Sequence, residues 1–212
     1  MIAAPDDLGH WEPLSVAEVV ALFDRMPAPW WIAGGWAIDL FVGSPTRPHH
    51  DIDVGIFHRD QLVAQETLGG WDLHAADPPG GLRKWQTGEV LRPAIHDIWC
   101  RRSLTAPWSL QLMLNDAEGD SWAFRRDHRI TMPFARLTHR TADGTPYLAP
   151  EVQLLFKSRV GRREKDAADF EAVLPRLDED GRNWLAEAIA LNADCHPWLR
   201  RLYGDRRILA ED

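Results

Sequence analysis

Apolar residues recur at helical spacing through Val16, Val19, Val20 and Phe23, directly after the capping-box pattern Ser15-Val16-Ala17-Glu18. Pro27 and Pro29 must stop that helix, because proline offers no amide to continue it. Trp30-Trp31-Ile32-Ala33 then reads as a short buried strand and Gly34-Gly35 as a tight turn. Residues Trp36 to Val42 open a second helix, and Gly43 to His50, with Pro45 and Pro48, form a loop. From Asp51 to Phe57 the pattern alternates. Ile52, Val54 and Ile56 share one face of a strand, while Asp51, Asp53 and Gly55 share the other.

A short helix is expected from about Arg59 to Leu68, ended by Gly69-Gly70. Strand-like runs follow at Trp71–Ala75, Arg83–Thr87, Ile95–Arg101, Trp108–Leu114 and Ser121–Arg125. Pro-Pro-Gly-Gly at 78–81 and the polar stretch Asn115–Asp120 separate them as turns. Past Pro146 the character changes, and Pro150–Arg159, Lys165–Leu174, Asp178–Leu191 and Pro197–Leu202 all read as helices. The expected class is therefore α+β, a mixed β-sheet with flanking helices over residues 1–145 followed by a small helical part over 146–212.

Composition narrows the function. The chain has 212 residues with 24 Lys+Arg against 32 Asp+Glu, a formal net charge of −8. That balance weighs against a generic nucleic-acid binder, whose affinity comes from neutralising phosphates. No apolar run approaches the roughly 18 to 20 residues of a membrane span, and the first residues lack a basic segment followed by an apolar one, so a cytoplasmic protein with no membrane partner is expected. Cys100 and Cys195 lack metal-type spacing. Eleven tryptophans stand beside 2 Tyr and 7 Phe. Trp30, Trp31 and Trp36 bracket the Gly-Gly turn, and Trp85, after the Pro-Pro-Gly-Gly loop, is the candidate aromatic platform for an acceptor or a nucleobase.

The chemistry concentrates in Gly34-Gly35-Trp36-Ala37-Ile38-Asp39 and Thr46-Arg47-Pro48-His49-His50-Asp51-Ile52-Asp53. Glycines where a strand feeds a helix let an anion approach main-chain amides at the positive end of the helix dipole. Two carboxylates at i and i+2 on one strand face suit Mg²⁺, which prefers hard oxygen ligands and keeps phosphate oxygens in its shell. Asp39 is placed to orient the turn. Each device is common alone, but an anion cradle followed by a carboxylate pair is what nucleotidyl transfer from a nucleoside triphosphate needs.

These residues resemble the signature of the polymerase-β-like nucleotidyltransferase superfamily. More narrowly, Gly-Gly-Trp-Ala-Ile-Asp with Thr-Arg-x-His-x-Asp-Ile-Asp is similar to the aminoglycoside and lincosamide nucleotidyltransferases that inactivate antibiotics. Tyr147 to Lys157, Lys165 to Phe170 and Trp122 to Asp127 also match that group. The resemblance implies a nucleotidyltransferase fold, Mg²⁺, a nucleoside triphosphate (ATP foremost) and a small hydroxylated acceptor. It further implies that Gly34 and Gly35 hold phosphates through their amides and that Asp51 and Asp53 bind the metal. Arg47 and His49 would neutralise phosphate or touch the acceptor, and Lys157 would reach across the cleft to the triphosphate. Of Arg125 and Arg126, one would face the nucleotide and the other would pair with Asp127 or Asp120.

One feature of the family pattern is missing. A third carboxylate is expected on a later strand, and Gln111 stands where it should be. Asp97, in His96-Asp97-Ile98-Trp99, is the best substitute, ahead of Asp116 and Glu118 in the expected turn. Two alternatives follow: a nucleotide- or ligand-binding module weakened in catalysis by Gln111, or a toxin-like transferase acting on tRNA or protein. Glu151 is expected as a first-turn acid complementing its helix dipole. Asp166 and Asp169 are expected to pair with Arg162 and Arg163, and Arg200, Arg201, Arg206 and Arg207 to form a solvated basic face.

Overall fold

The computed structural model describes residues 8–159, 164–193 and 195–204. Arg162, Arg163, Arg206 and Arg207 lie outside them. Helix α1 (Val16–Phe23) carries the expected capping box: the Ser15 side chain accepts from the Glu18 amide and the Glu18 carboxylate accepts from the Ser15 amide. It buries Val19 and Phe23. Strand β1 (Trp30–Ile32) runs antiparallel to β2 (Asp53–Phe57), with Ile32 opposite Val54. Between them lies α2 (Gly34–Val42), which begins at the glycines themselves rather than at Trp36.

Strands β3 (Asp72–Ala75), β4 (Arg83–Lys84), β5 (Asp97–Arg101), β6 (Trp108–Glu118), β7 (Ser121–Phe124) and β8 (Asp127–Pro133) follow, with α3 (Gln61–Thr67) before β3. After β8 come α4 (Phe134–Leu137), β9 (Thr138–Arg140) and β10 (Pro146–Leu148). The sheet order is β4-β3-β5-β6-β2-β1-β10-β9, and β7 and β8 extend from the far end of β6. Helices α5 (Pro150–Lys157), α6 (Glu164–Val173), α7 (Glu179–Asn192) and α8 (Pro197–Tyr203) close the chain. This mixed sheet with flanking helices and a helical C-terminal part is the expected α+β class.

Among the boundaries that differ from the sequence expectation, those of β2 and β6 have a local reason. Strand β2 starts at Asp53, not Asp51, because β1 ends at Ile32 and the chain turns away at Gly34, leaving residues before 53 without a strand on that side. Strand β6 runs on through the polar residues expected to turn. Asn115 is buried there with its needs met: its side chain accepts from the Trp122 indole N–H at 3.0 Å and donates to the Met113 carbonyl at 2.8 Å. Glu118 pairs with Ser121, so the reversal is confined to Gly119-Asp120, and Gly119 supplies φ +55°. Strands β8, β9 and β10 were not legible as strands. β10 pairs parallel with β1, Ile32 opposite Tyr147, and leads directly into α5 across the Gly-Gly turn.

Tryptophan does most of its work in packing. Trp31 and Trp122 are among the largest fully buried side chains. Trp198 stacks on Phe170 with ring centroids 4.2 Å apart. Trp85 is also core, 2% exposed, with its N–H donated to the Glu89 carbonyl at 2.8 Å, so it presents no platform to a ligand. No helix among the described residues is long and apolar enough to cross a membrane.

Candidate active site

The register of β1 on β2 brings the Gly34-Gly35 turn directly onto Asp53. The Ala33 amide donates to the Asp53 carbonyl at 2.8 Å, and Gly34 follows at φ +67°, a conformation that costs an L-residue about 1–2 kcal/mol. Space is equally restrictive. A Cβ at Gly34 would collide with the Asp53 carboxylate, and one at Gly35 would collide with the His49 ring and the Arg47 guanidinium. Glycine is thus required twice, once for the bend over the acid and once for the loop pressed on the helix start. Gly55 has a related role. The Trp31 indole lies across it, where any side chain would stand.

No side chain caps α2 at Ala33. Instead the Gly34 amide donates to Gln153 Oε1 on α5 at 2.8 Å. A side-chain oxygen therefore already sits at the seat expected for a phosphate oxygen, and Gln153 is a site residue that the motifs did not single out. The first amides of any helix lack intrahelical acceptors, so an oxygen at this position satisfies a standing need.

Asp53 is half-buried. Burial first, then the neighbouring charge of Asp51, push its carboxyl up to about 7; Lys157 opposes this, Asp97 adds to it, and Lys165 opposes it. A corner where neighbouring carboxylates push Asp53 up is short of positive charge. Asp51, just before β2 and exposed, and Asp53 thus suit a hard cation in donor type and in charge. Among the described residues no group of three His, Cys, Asp or Glu side chains converges to hold a metal unaided. Two carboxylates supplemented by phosphate oxygens and water is the ordinary arrangement for Mg²⁺.

Gln111 lies directly opposite Asp53 on the adjacent parallel strand β6, and Trp99 on β5 is opposite Gln111. The amide therefore occupies the neighbouring place on the Asp53 face. Asp97 lies opposite Met113, which is opposite Gly55, so it shares that face two strands from β2. It is partly exposed and sits 3.7 Å from Arg125. Asp116 belongs to β6 rather than a turn and pairs with His128 at 3.3 Å.

The other basic candidates are joined into one internal chain of charges. Asp39 accepts from the Thr46 amide at 3.0 Å and the Thr46 hydroxyl at 2.6 Å, which ties the loop to α2. His49 bridges Asp39, 2.6 Å from Nε2, and Arg47, 3.0 Å from Nδ1. Arginine can only donate, so Nδ1 accepts and the Nε2–H donates to Asp39. Arg47 then donates through Nε and Nη2 to the two oxygens of Asp169 on α6, at 3.2 and 3.3 Å. Lys157 Nζ lies 2.7 Å from the same carboxylate and 3.7 Å from Asp166. Burial raises the Asp169 carboxyl, but hydrogen bonds from Arg47 and Lys157 and their charges outweigh it and hold the group below the usual carboxylate range.

Arg47 and Lys157 are thus engaged with Asp169 rather than extended into the cleft. Among the described residues Asp169 takes these partners, one of them 122 residues away; its expected partners Arg162 and Arg163 lie outside the described residues. The Trp36 ring packs on His49 with centroids 4.8 Å apart and helps seal this chain. Glu151, in the first turn of α5, is buried, and burial raises its pKa; His139 and Arg136 moderate the rise.

A cleft opens between the sheet, the β7–β8 hairpin and α5. Asp53, Gly34, Gln153, Arg125 and Arg126 all line it, with Trp31, Met113 and Phe156 among the apolar walls. Asp127, expected to pair with one of these arginines, is taken instead by Arg129 at 2.6 Å.

The family model of the aminoglycoside-2''-adenylyltransferases matches residues 15–70. A lincosamide resistance protein of Staphylococcus haemolyticus is 39% identical over 155 residues, covering 72% of this chain and 88% of that protein. A 2''-aminoglycoside nucleotidyltransferase of Escherichia coli is 46% identical over 65 residues, 29% of this chain and 37% of that protein. Among solved structures, the lincomycin-bound lincosamide antibiotic adenylyltransferase LnuA superposes with TM-score 0.53 at 19% identity, covering 76% of this chain and 98% of that one. ANT(2")-Ia in complex with adenylyl-2"-tobramycin gives TM-score 0.52 at 16% identity, covering 84% and 98%. These two establish the likeness of fold, and the 39% identity along most of the chain establishes kinship. The chain belongs to the aminoglycoside/lincosamide nucleotidyltransferase family and is a nucleotidyltransferase.

Proposed function

We propose that this enzyme transfers a nucleoside monophosphate, AMP from ATP, to a hydroxyl of a small lincosamide-like or aminoglycoside-like antibiotic. The observation that carries this reading is the Gly34–Gly35 turn closed over a half-buried, charge-crowded Asp53 at the mouth of a cleft that also presents arginines. Asp51 and Asp53 would hold Mg²⁺, which supplies charge neutralisation and orientation for the phosphates when bound. The chain's own part is positioning. The helix start offers amides to phosphate oxygens once Gln153 yields the Gly34 amide, and the apolar walls exclude water from the cleft.

Gln111 accepts or donates hydrogen bonds beside Asp53 but cannot take a proton. Asp97, on the same face, is the carboxylate we assign to assist the acceptor hydroxyl. Arg47, His49 and Lys157 contribute by fixing the loop and α5 against α2. With its net charge of −8 the protein also suits a cationic acceptor.

The test is pyrophosphate release from ATP with Mg²⁺ across a panel of hydroxylated antibiotics, with Asp53→Ala as control. Release that depends on one acceptor class and vanishes in the variant supports the reading. Wild-type protein that binds ATP yet turns over no acceptor would defeat it in favour of a binding module.

A further inference from the structure

Around the Gly34–Asp53 corner, positive charge comes in two states. Arg47 and Lys157 are both paired with Asp169, which is 1% exposed, and Lys157 also lies 3.7 Å from Asp166. Arg125 and Arg126, just past β7, line the same cleft as Asp53 and Gly34. Arg159, just past α5, adds a third like charge near Arg126. Among the described residues the one carboxylate paired with this group is Asp97, 3.7 Å from Arg125.

Burial, then repulsion from Arg159 and Arg125, push the Arg126 guanidinium down to about 10. Aromatic faces position the two arginines: Arg125 lies over Phe156 at 5.7 Å, and Arg126 over Phe124 at 5.4 Å and Phe156 at 5.8 Å. Arg126 spends one N–H on the Phe156 carbonyl at 3.3 Å, which leaves other donors of its planar fork for a ligand. The Trp31 indole N–H, in the cleft wall, has no acceptor among the described residues. Clustered, partly desolvated guanidiniums with one distant counter-charge match an anion that carries several negative oxygens.

We propose that Arg125 and Arg126 hold the polyphosphate of the nucleotide, gripping it from the hairpin side while the Gly34–Gly35 turn and the Asp51–Asp53 pair hold it from the sheet side. This rests on the reading of the cleft as the nucleotidyl-transfer site. Arg125 then exchanges Asp97 for phosphate when the nucleotide binds, which frees Asp97 on the Asp53 face.

The experiment is calorimetric titration of the full chain with inorganic tripolyphosphate and Mg²⁺, beside steady-state kinetics in ATP and in acceptor. Arg125→Gln and Arg126→Gln should each weaken tripolyphosphate about 10-fold or more and raise KM for ATP similarly, with KM for the acceptor and thermal stability little changed. Arg126→Lys, which keeps the charge but loses the fork, should fall between wild type and Arg126→Gln, and it serves if the glutamine variant does not fold. Affinity for tripolyphosphate within twofold of wild type in both Arg125→Gln and Arg126→Lys would overturn the proposal even where the wild type turns over. Wild type that neither binds tripolyphosphate nor releases pyrophosphate with any acceptor would overturn the proposed function as well.

Discussion

Two charged regions meet at the start of α2, and they are built on opposite plans. On one side, Asp39, His49, Arg47, Asp169, Lys157 and Asp166 alternate acid and base, and almost every polar atom has a partner. On the other, the charges of Asp51 and Asp97 help push the Asp53 carboxyl up, while those of Arg159 and Arg125 help push the Arg126 guanidinium down. The balanced region joins the loop, α5 and α6 into a fixed frame. In the unbalanced region the Arg125–Asp97 contact at 3.7 Å is the one ion pair among the described residues, and on the proposed reading a metal and a polyphosphate supply the missing counter-charges. On that reading, stability and catalysis fall to neighbouring but separate sets of charges, as expected where an active site carries strain that the surrounding structure must bear.

Mutations should separate the two plans. The largest effect on the fold is expected from Asp169→Ala, which takes the shared carboxylate from Arg47 and leaves Lys157, itself 7% exposed, with Asp166 at 3.7 Å. Breaking such a pair costs about 3–5 kcal/mol, or roughly 10 °C in Tm for a chain of this size, as read by thermal melting. A change under 1 kcal/mol would show that the frame is not what holds α6 in place. Asp53→Asn should do the reverse. Turnover should fall on the order of 10³-fold, while Tm is unchanged or rises because a crowded, buried charge is gone. Comparable losses of Tm in both variants would erase the distinction between the regions.

Gly34→Ala lies on the boundary. Positive φ and collision with the Asp53 carboxylate should cost about 1–2 kcal/mol of stability and lower ATP affinity as well, measurable by denaturant unfolding and by KM. The smallest effect concerns acid. The folded-state pKa of Asp169 is depressed, so its contribution is complete above the unfolded value of about 4 and is lost as pH falls through the lower, folded one. Melting curves from pH 6 to 3 should show less acid destabilisation in Asp169→Ala than in wild type. An unchanged slope would mean that other carboxylates, such as Asp72 with Arg101 and His74, dominate acid unfolding.

Much of this was legible along the chain because it is local. The Ser15–Glu18 box, the Gly-Gly turn between strand and helix, and the Asp-x-Asp approach to β2 all follow from short-range rules of capping, backbone freedom and alternation. Asp39 was readable as an orienting residue because its partners, Thr46 and His49, are within ten positions. Strand β10 was not legible, since three residues with a proline carry no periodicity, and its identity as a strand comes from pairing with β1 more than a hundred positions earlier. Gln153 was missed for the same reason: nothing in a helical glutamine's neighbourhood announces that its oxygen will meet Gly34, 119 residues away.

The sequence by itself thus determined the family to which the chain belongs and the residues of the proposed site: the Gly34-Gly35 turn, Asp51 and Asp53, and a neutral Gln111 beside them. Only the tertiary structure decided which charges are spent and which remain. Lys157 and Arg47 look as available as Arg125 and Arg126 in a linear reading. Whether a cation is free depends on the counter-ions that the fold brings within a few ångströms, because charge interactions inside a protein are strong at contact and weaken with distance and with access to water. Asp169 reaches the first pair and not the second.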